Sequence, residues 1–247
     1  MVSLPAKALG EPCGPIAARV ALARDGWPMN WTRLTLVGCI AVLVWAVWPK
    51  PPVVVDTHKP TRQLVIALTL SRMNDAIIVL GDSIVEASTL PRSVCGHPIV
   101  NAGIGGASTE SNLDSMLEQS LGDKRAAMLV VALGTNDAAI PNSVERYRSN
   151  YQTLLKRIAR LTPRVAVIAI PSPEAGLGEA RKVNASIVDA YNAVLPEIAR
   201  EAGAAFIALP PMPQQHTIDG IHLNGAGYEI WDEAILRGID ADLCKSA

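Results

Sequence analysis

Five short apolar runs alternate with amphipathic stretches through the second two thirds of the chain. The runs lie at 76–80, 97–103, 126–134, 164–171 and 204–209. Continuous apolar runs of this length are typical of strands buried on both faces of a sheet. Helical periodicity is found at 62–73, 108–121, 142–161, 179–202 and 225–238. The alternation predicts an α/β domain with a five-stranded parallel sheet in a three-layer α/β/α sandwich.

A separate apolar segment precedes this domain. Residues 34–49 carry no charge, and tryptophans lie near both ends of the segment. As a helix these residues rise about 24 Å, slightly less than the ~30 Å hydrocarbon core of a bilayer, and flanking Trp, Arg and Lys can extend the span. We therefore expect an N-terminal leader at 1–33, a transmembrane signal anchor at 34–49 and a Pro-rich linker at 50–60. The α/β domain then covers 61–247, and a cleaved leader or a buried helix is the alternative to the anchor.

The basic residues on the two sides of this segment nearly balance, so charge alone does not orient it. A short basic leader before a first apolar segment usually stays inside the cell. This arrangement predicts a single-pass protein of the inner membrane, with the domain facing the periplasm or the exterior. Secretion after leader cleavage is the other expectation.

The composition excludes some functions. Charged residues make up 18% of the chain and the net charge is −1, so a nucleic-acid partner is not expected. Cys95 and Cys244 both fall at the bottom edge of the predicted sheet, where either a disulfide or two free thiols would fit. No cluster of residues has the spacing of a metal site, and we expect neither a metal nor a cofactor.

Polar and glycine-rich motifs follow the predicted strands. Gly-Asp-Ser at 81–83 ends the first strand, a glycine-rich turn at 103–106 ends the second, and Gly-Thr-Asn-Asp at 134–137 ends the third. Because the carboxyl ends of parallel strands meet at one edge of a sheet, these motifs should lie close together. Ser83 could be a helix cap, or it could be a nucleophile presented at that edge.

A serine nucleophile needs a base and an oxyanion site. Two of the four histidines, in the linker and at the start of the second strand, lie away from the relevant edge. Of the other two, His216 and His222, only His222 has an acid three residues before it, Asp219. This spacing allows Asp219 to orient the ring, although a capping aspartate and a surface histidine would look the same.

The glycine-rich turn and Asn136 offer hydrogen-bond donors to an oxyanion, since glycine backbone can approach a substrate closely. Gly103 and Gly105 also form the opening of a dinucleotide-binding pattern. The sixth position of that pattern is Ser108, however, and the turn follows the second predicted strand instead of the first. Nucleotide binding is therefore disfavoured.

Four motifs, in this order, resemble the SGNH or GDSL hydrolase superfamily over roughly residues 75–240. They are Gly-Asp-Ser at 81–83, the glycine-rich turn at 103–106, Gly-Thr-Asn-Asp at 134–137 and the Asp219–His222 pair. The resemblance implies a flavodoxin-like strand order and a serine esterase without a cofactor. It implies that Ser83 is the nucleophile, that His222 and Asp219 are the base and the acid, and that the N–H groups of Ser83 and Gly106 with the Asn136 amide form the oxyanion hole. Many relatives carry an acidic residue where this chain has Ala107, and we expect Glu86 to cap a turn.

The implied activity is removal of acyl groups, acetyl above all, from an ester such as an O-acetylated cell-envelope or extracellular polysaccharide. An O-acetyltransferase would use the same residues with a membrane protein as acyl donor. A lysophospholipase or thioesterase and a binding module with an idle site are further alternatives. Apart from the substrate and the membrane, the sequence implies no other partner.

Overall fold

The computed structural model describes residues 31–48, 57–139 and 142–245, so most of the leader expected at 1–33 and of the linker expected at 50–60 lies outside the described residues. The chain divides into two units, Met1–Val54 and Val55–Ala247. The first unit contains helix α1, Trp31–Val47, which has 17 residues. Seventeen residues rise about 26 Å, less than the ~30 Å apolar core of a bilayer. Within the described residues no helix reaches the length and apolarity of a membrane span, so the transmembrane helix expected at 34–49 is not found.

The second unit is built around one sheet of six strands, one more than the five predicted. In chain order they are β1 Ile77–Gly81, β2 Ser93–Val94, β3 His97–Gly103, β4 Met128–Ala132, β5 Val165–Ile168 and β6 Ala205–Ile207. The additional strand is β2, which pairs antiparallel with β3. It has two residues, too few to leave an alternating pattern in the sequence. Cys95 and Gly96, both with positive φ, form the two-residue hairpin turn between them.

The spatial order of the strands is β2-β3-β1-β4-β5-β6. The last five are parallel, and among themselves they follow the flavodoxin-like order 2-1-3-4-5. After β1 the chain forms β3 on one side of β1 within the sheet, and it then crosses over to form β4 on the other side of β1. The crevice at this reversal, beyond the carboxyl ends of β1 and β4, is where doubly wound sheets place their ligands.

Helices cover both faces of the sheet. They are α2 His58–Ser71, α3 Ser83–Glu86, α4 Leu113–Leu121, α5 Val144–Ile158, α6 Ala185–Glu201 and α7 Gly225–Ile239. Because successive side chains of a strand point to opposite faces, β1 contributes to two cores. Ile78 and Leu80 pack with α2, α4, α5 and α6, whereas Ile77 and Val79 pack with α3 and α7. The α/β/α layering predicted from the continuous apolar runs is therefore found.

A disulfide joins Cys95 to Cys244, with 5.8 Å between the Cα atoms, so the structure contains one of the two arrangements that the sequence left open. Cys95 lies in the hairpin turn between β2 and β3, and Cys244 follows α7 in a π-helical turn, Asp240–Cys244. The bond closes the end of the chain onto the amino-terminal edge of the sheet. The carboxyl-terminal edge, where the motifs lie, is at the opposite side.

Candidate active site

Ser83 lies where β1 passes into α3. Asp82 is extended (φ −97°, ψ −151°) and caps the helix, its Oδ1 accepting a hydrogen bond of 2.9 Å from the backbone N–H of Ile84. Ser83 is the first residue of α3 and is partly exposed. The serine is therefore held beyond the carboxyl end of β1, at the reversal of strand order.

His222 and Asp219 reach Ser83 from a loop far along the chain. The Oγ of Ser83 lies 2.9 Å from Nε2 of His222, and Nδ1 of His222 lies 2.7 Å from Oδ2 of Asp219. A carboxylate accepts hydrogen bonds only, so Nδ1 carries the proton and Nε2 is left to accept the serine proton. The three side chains form a continuous hydrogen-bonded chain.

Asp219 is held in its ionised form. Burial favours its neutral form, but hydrogen bonds from the His222 ring and from the backbone N–H groups of His222 and Ile221 outweigh that effect and lower its pKa to about 2. The backbone bonds to Oδ1 measure 2.8 Å and 3.0 Å. The carboxylate is therefore charged at neutral pH and turned toward the imidazole, which it can stabilise as an imidazolium.

The glycine-rich turn lies beside this chain of side chains. Its backbone N–H of Ala107 donates to the carbonyl of Ile104 at 3.0 Å, and Gly106 has a φ of +73°. Such a φ is available to glycine at little cost. Within residues 57–139 and 142–245, neither the N–H of Ser83 nor that of Gly106 donates a hydrogen bond, so both are available to a ligand.

Asn136 lies between the glycine-rich turn and the turn from β1 into α3 that contains Asp82 and Ser83. Its Nδ2 donates to the carbonyl of Ala107 at 2.8 Å and lies 3.5 Å from Oδ2 of Asp82. The carboxyl ends of β1, β3 and β4 thus bring the predicted oxyanion donors together. All five residues proposed from the sequence lie at this one edge of the sheet.

Close approach of α3 to β3 also requires glycine. A Cβ atom on Gly103 would lie 2.1 Å from the backbone nitrogen of Glu86. Next to it, Nδ2 of Asn101 donates to the carbonyl of Val85 at 2.6 Å. The Asn-Ala-Gly motif therefore lets β3 pack closely against α3, the helix that begins at Ser83.

Asp82 is a residue of the site whose role the sequence did not reveal. It is buried, and burial raises its pKa to about 6, although the hydrogen bond from Ile84 and the nearby His222 both favour the ionised form. The sequence could have indicated this burial, because Asp82 stands between a buried strand and a short helix. A residue that caps a helix at that place is withdrawn from water.

The loop that carries Asp219 and His222 is held by Glu174, a residue that the sequence did not single out. The Glu174 carboxylate accepts hydrogen bonds from the backbone N–H groups of Gln215 and Thr217 and from the Thr217 hydroxyl. The backbone N–H of Glu174 donates to the carbonyl of Gly220 at 2.9 Å. These contacts tie the segment after β5 to the loop that precedes α7.

His216, the other candidate base, is buried and faces away from Ser83. Its Nδ1 lies 2.8 Å from the carbonyl oxygen of Pro213 and its Nε2 lies 2.9 Å from that of Ser172. Both ring nitrogens are thus engaged with backbone of the loop. His216 thus helps to hold the loop, and of these two histidines it is His222 that lies within hydrogen-bond distance of Ser83.

Among the described residues, one group of potential metal ligands comes close together, formed by Cys95, Asp240 and Cys244. Its two sulfurs are bonded to each other. A disulfide sulfur is not a thiolate ligand, so these residues do not suit a metal ion.

A known protein family matches most of the domain. The profile of the GDSL-like Lipase/Acylhydrolase family matches residues 79–230, from β1 into α7. Among curated proteins none matches the chain.

Solved structures share the fold. A Streptococcus pneumonia protein described as a platelet activating factor has 21% identity and a TM-score of 0.62, over 86% of this chain and 98% of its own. A lipase/acylhydrolase from Enterococcus faecalis has 22% identity and a TM-score of 0.56, over 68% and 96%. An acetylxylan esterase from Geobacillus stearothermophilus has 17% identity and a TM-score of 0.53, over 68% and 94%. Since the family match covers more than half of the chain, this protein belongs to the GDSL-like lipase/acylhydrolase family and is an ester-hydrolysing serine hydrolase.

Proposed function

We propose that this protein is a serine esterase that removes acetyl groups from an O-acetylated cell-envelope or extracellular polysaccharide. The observation that carries the proposal is the hydrogen-bonded chain from Ser83 through His222 to Asp219, with distances of 2.9 Å and 2.7 Å. It stands next to two N–H groups that are free to bind an oxyanion. This combination is what acyl transfer through a covalent intermediate requires.

In the proposed reaction His222 takes the proton of the Ser83 hydroxyl as its oxygen attacks the ester carbonyl. The N–H groups of Ser83 and Gly106, with the amide of Asn136, stabilise the oxyanion. The imidazolium then gives its proton to the leaving sugar hydroxyl, and an acetyl-enzyme remains. Water attacks the acetyl-enzyme with His222 again as base. The bond between the Ser83 oxygen and the acetyl carbon then breaks, the imidazolium returns its proton to that oxygen, and acetate is released.

The openness of the site supports a polymeric substrate. The His222 side chain is 40% exposed and that of Asp219 31%, so the base lies at the surface. A polysaccharide could therefore lie across the site with one acetyl group directed at Ser83. Among the proteins of the same fold, the Geobacillus stearothermophilus protein is an acetylxylan esterase, which favours an acetyl ester on a sugar.

The disulfide supports a location outside the cytoplasm. Disulfides persist in the periplasm and in secreted proteins and are rare in the reducing cytosol. The Cys95–Cys244 bond is therefore consistent with a domain that faces the periplasm or the exterior, where such polysaccharides are found.

The test is acetate release by the full chain from acetylated xylan and from aryl esters with short and long acyl chains, beside Ser83→Ala. We expect release of acetate from the polysaccharide, a preference for short acyl chains, and a loss of at least 10³-fold on Ser83→Ala with unchanged folding. Activity in Ser83→Ala near that of the wild type would refute the assignment. Transfer of acetyl to an added sugar without release in water would identify a transferase, and a preference for long chains would identify a lipase.

A further inference from the structure

Glu86, the last residue of α3, contacts the glycine-rich turn in addition to ending the helix of the nucleophile. Its Oε2 accepts a hydrogen bond of 2.7 Å from the backbone N–H of Gly105, the residue immediately before Gly106. The side chain of Glu86 is 20% exposed, so this charge-assisted bond is largely shielded from water. The Glu86 carboxylate thus binds the backbone of the turn that contains Gly106, the second proposed oxyanion donor.

Two residues of α2 hold the carboxylate of Glu86 in place. The Nε2 of His58 lies 3.0 Å from Oε1 of Glu86, and Nε of Arg62 lies 3.7 Å from the same oxygen. Arg62 also donates to the carbonyl of Gly103 at 2.8 Å and to Oδ1 of Asn101 at 2.8 Å. The carboxylate is therefore fixed by α2 on one side and by the glycine-rich turn on the other.

Helix α2 also lies against the glycine-rich turn. A Cβ atom on Gly105 would lie 3.5 Å from Nε2 of His58, and one on Gly106 would lie 3.5 Å from Nζ of Lys59. His58 and Lys59 fall in the segment expected to be a linker, and they form the first turn of α2. The side chains of His58 and Lys59 therefore lie at van der Waals distance from the glycine-rich turn, and α2 covers it.

The hydrogen bond to Glu86 restricts the backbone of the Gly105–Gly106 pair. Gly105 and Gly106 are the central residues between the carbonyl of Ile104 and the N–H of Ala107. Two successive glycines have many accessible backbone conformations, and each would direct the N–H of Gly106 differently. A bond to the N–H of Gly105 fixes the peptide next to that of Gly106.

We propose that Glu86 is a positioning residue of the oxyanion hole, which directs the N–H of Gly106 toward the reacting carbonyl through its bond to Gly105. This inference rests on the proposed function, because it gives Gly106 the role of an oxyanion donor. It adds Glu86, supported by His58 and Arg62, to the residues on which the rate depends.

The experiment compares Glu86→Ala and Glu86→Gln with the wild type in the full chain, using an aryl acetate. Glu118→Ala, an exposed glutamate on α4, is the matched control. We expect Glu86→Ala to lower kcat by about ten- to a hundred-fold and to leave KM within about two-fold, because a misdirected donor costs transition-state stabilisation. Glu86→Gln keeps an acceptor oxygen and should recover a large part of kcat.

The affinity for an arylboronic acid, which forms a tetrahedral adduct with a serine hydroxyl, gives a second readout. Glu86→Ala should weaken this affinity by about the same factor as kcat, whereas its thermal unfolding midpoint should stay within a few degrees of the wild type. A merely structural role would move the midpoint without separating kcat from KM. Unchanged kcat and boronate affinity in Glu86→Ala would overturn the inference, and so would equal losses in the Ala and Gln variants.

Ser83→Ala in the same assays separates this inference from the proposed function. Ser83-dependent turnover with no effect of Glu86→Ala refutes the inference alone. If turnover does not depend on Ser83, the proposed function fails, and the boronate affinity of the Glu86 variants still decides whether Glu86 positions the turn. No boronate binding by the wild type would overturn both.

Discussion

The two halves of the site are held in place by different means. Ser83, Gly106 and Asn136 lie in short turns just beyond the carboxyl ends of β1, β3 and β4, whose backbone hydrogen bonds fix where those turns begin. Asp219 and His222 lie in a loop between β6 and α7, where one antiparallel bridge, Thr217 to Leu223, is formed outside the named strands. The nucleophile half is thus placed by the backbone of the sheet, and the acid–base half by side chains.

In the acid–base half, side-chain hydrogen bonds hold the loop that contains Asp219 and His222. Glu174 accepts from the backbone of Gln215 and Thr217, and Asn224 accepts from the N–H of Gly227 at 3.1 Å to cap α7. The hydroxyl of Tyr228 on α7 donates to the carbonyl of Ile84 at 2.9 Å, which links the two halves. We therefore expect substitutions in the two halves to differ in their effects on chemistry and on local order. The predictions below run from the largest expected effect on turnover to the smallest.

Asn136→Ala tests the nucleophile half. Loss of one oxyanion donor costs about 10²–10³-fold in kcat in other hydrolases, and we expect a similar loss here with little change in KM. Steady-state kinetics on an aryl acetate measures it. Asn150→Ala, which removes an exposed amide bonded to Glu110, is the control and should keep the wild-type rate. A loss below about five-fold would remove Asn136 from the oxyanion hole.

Glu174→Ala tests the acid–base half. Three donors of the loop lose their acceptor, and we expect kcat to fall about ten-fold because His222 is no longer held in line with Ser83. Hydrogen exchange should rise at 213–223 and stay unchanged at 77–86. Glu179→Ala, which removes a surface pair with Lys182, is the control from the same segment. Equal exchange changes in both halves would contradict the distinction drawn between them.

Asp82→Asn tests a charge within the nucleophile half. The folded-state pKa of Asp82, about 6, lies above its ordinary 3.8, so its contribution to stability is greatest below pH 3.8 and is lost as pH rises toward 6. Asparagine caps a helix equally well and does not ionise. Above pH 6 the variant should be the more stable protein by about 1–3 kcal/mol, and this difference should shrink toward pH 4.

Urea unfolding of the wild type and Asp82→Asn at several pH values measures this effect. We expect turnover of Asp82→Asn within about ten-fold of the wild type, since Asp82 receives no proton in the proposed reaction. A stability difference that does not vary between pH 4 and 7 would show that Asp82 has no raised pKa.

The Cys95→Ala/Cys244→Ala double variant concerns the edge of the sheet opposite the site. The disulfide closes a long loop, since its cysteines are 149 positions apart in the sequence, and its loss should lower the free energy of unfolding by about 2–5 kcal/mol. Turnover at 25 °C should stay within two-fold, because neither half of the site contacts this edge. Chemical unfolding and kinetics on the same preparation measure both values. A large loss of kcat in a folded variant would mean that the two edges are coupled.

Much of the fold could be predicted because its signals are local. The first predicted strand, 76–80, differs by one residue from β1, and the second, 97–103, coincides with β3. Strand β2 was missed because two residues carry no periodicity, and its pairing depends on the hairpin turn at Cys95 and Gly96. Helix ends were less accurate: the predicted helix 179–202 is a 3₁₀ turn at Glu179–Lys182 followed by α6, which begins after the cap of Asn184.

For the site, the sequence indicated the residues that bear the chemistry but not those that hold them. Ser83, Asn136 and the Asp219–His222 pair stand in short motifs next to strand ends or at a fixed spacing, so their types and order were informative. Glu86 and Glu174 have no sequence pattern around them that distinguishes them from solvent-exposed glutamates. Their roles depend on the backbone groups that come within hydrogen-bond distance after folding.

By itself, the sequence determined the order of the main strands and helices and the layering of the domain, because these follow from periodicity. Its short motifs indicated the residues that we propose for acyl transfer. The tertiary structure decided the pairing of Cys95 with Cys244, the sixth strand and the contacts of Glu86 and Glu174. Those contacts join residues 28 positions apart, His58 and Glu86, or 43 apart, Glu174 and Thr217. The geometry of a hydrogen bond between such distant segments is set only when the whole chain has packed around the sheet.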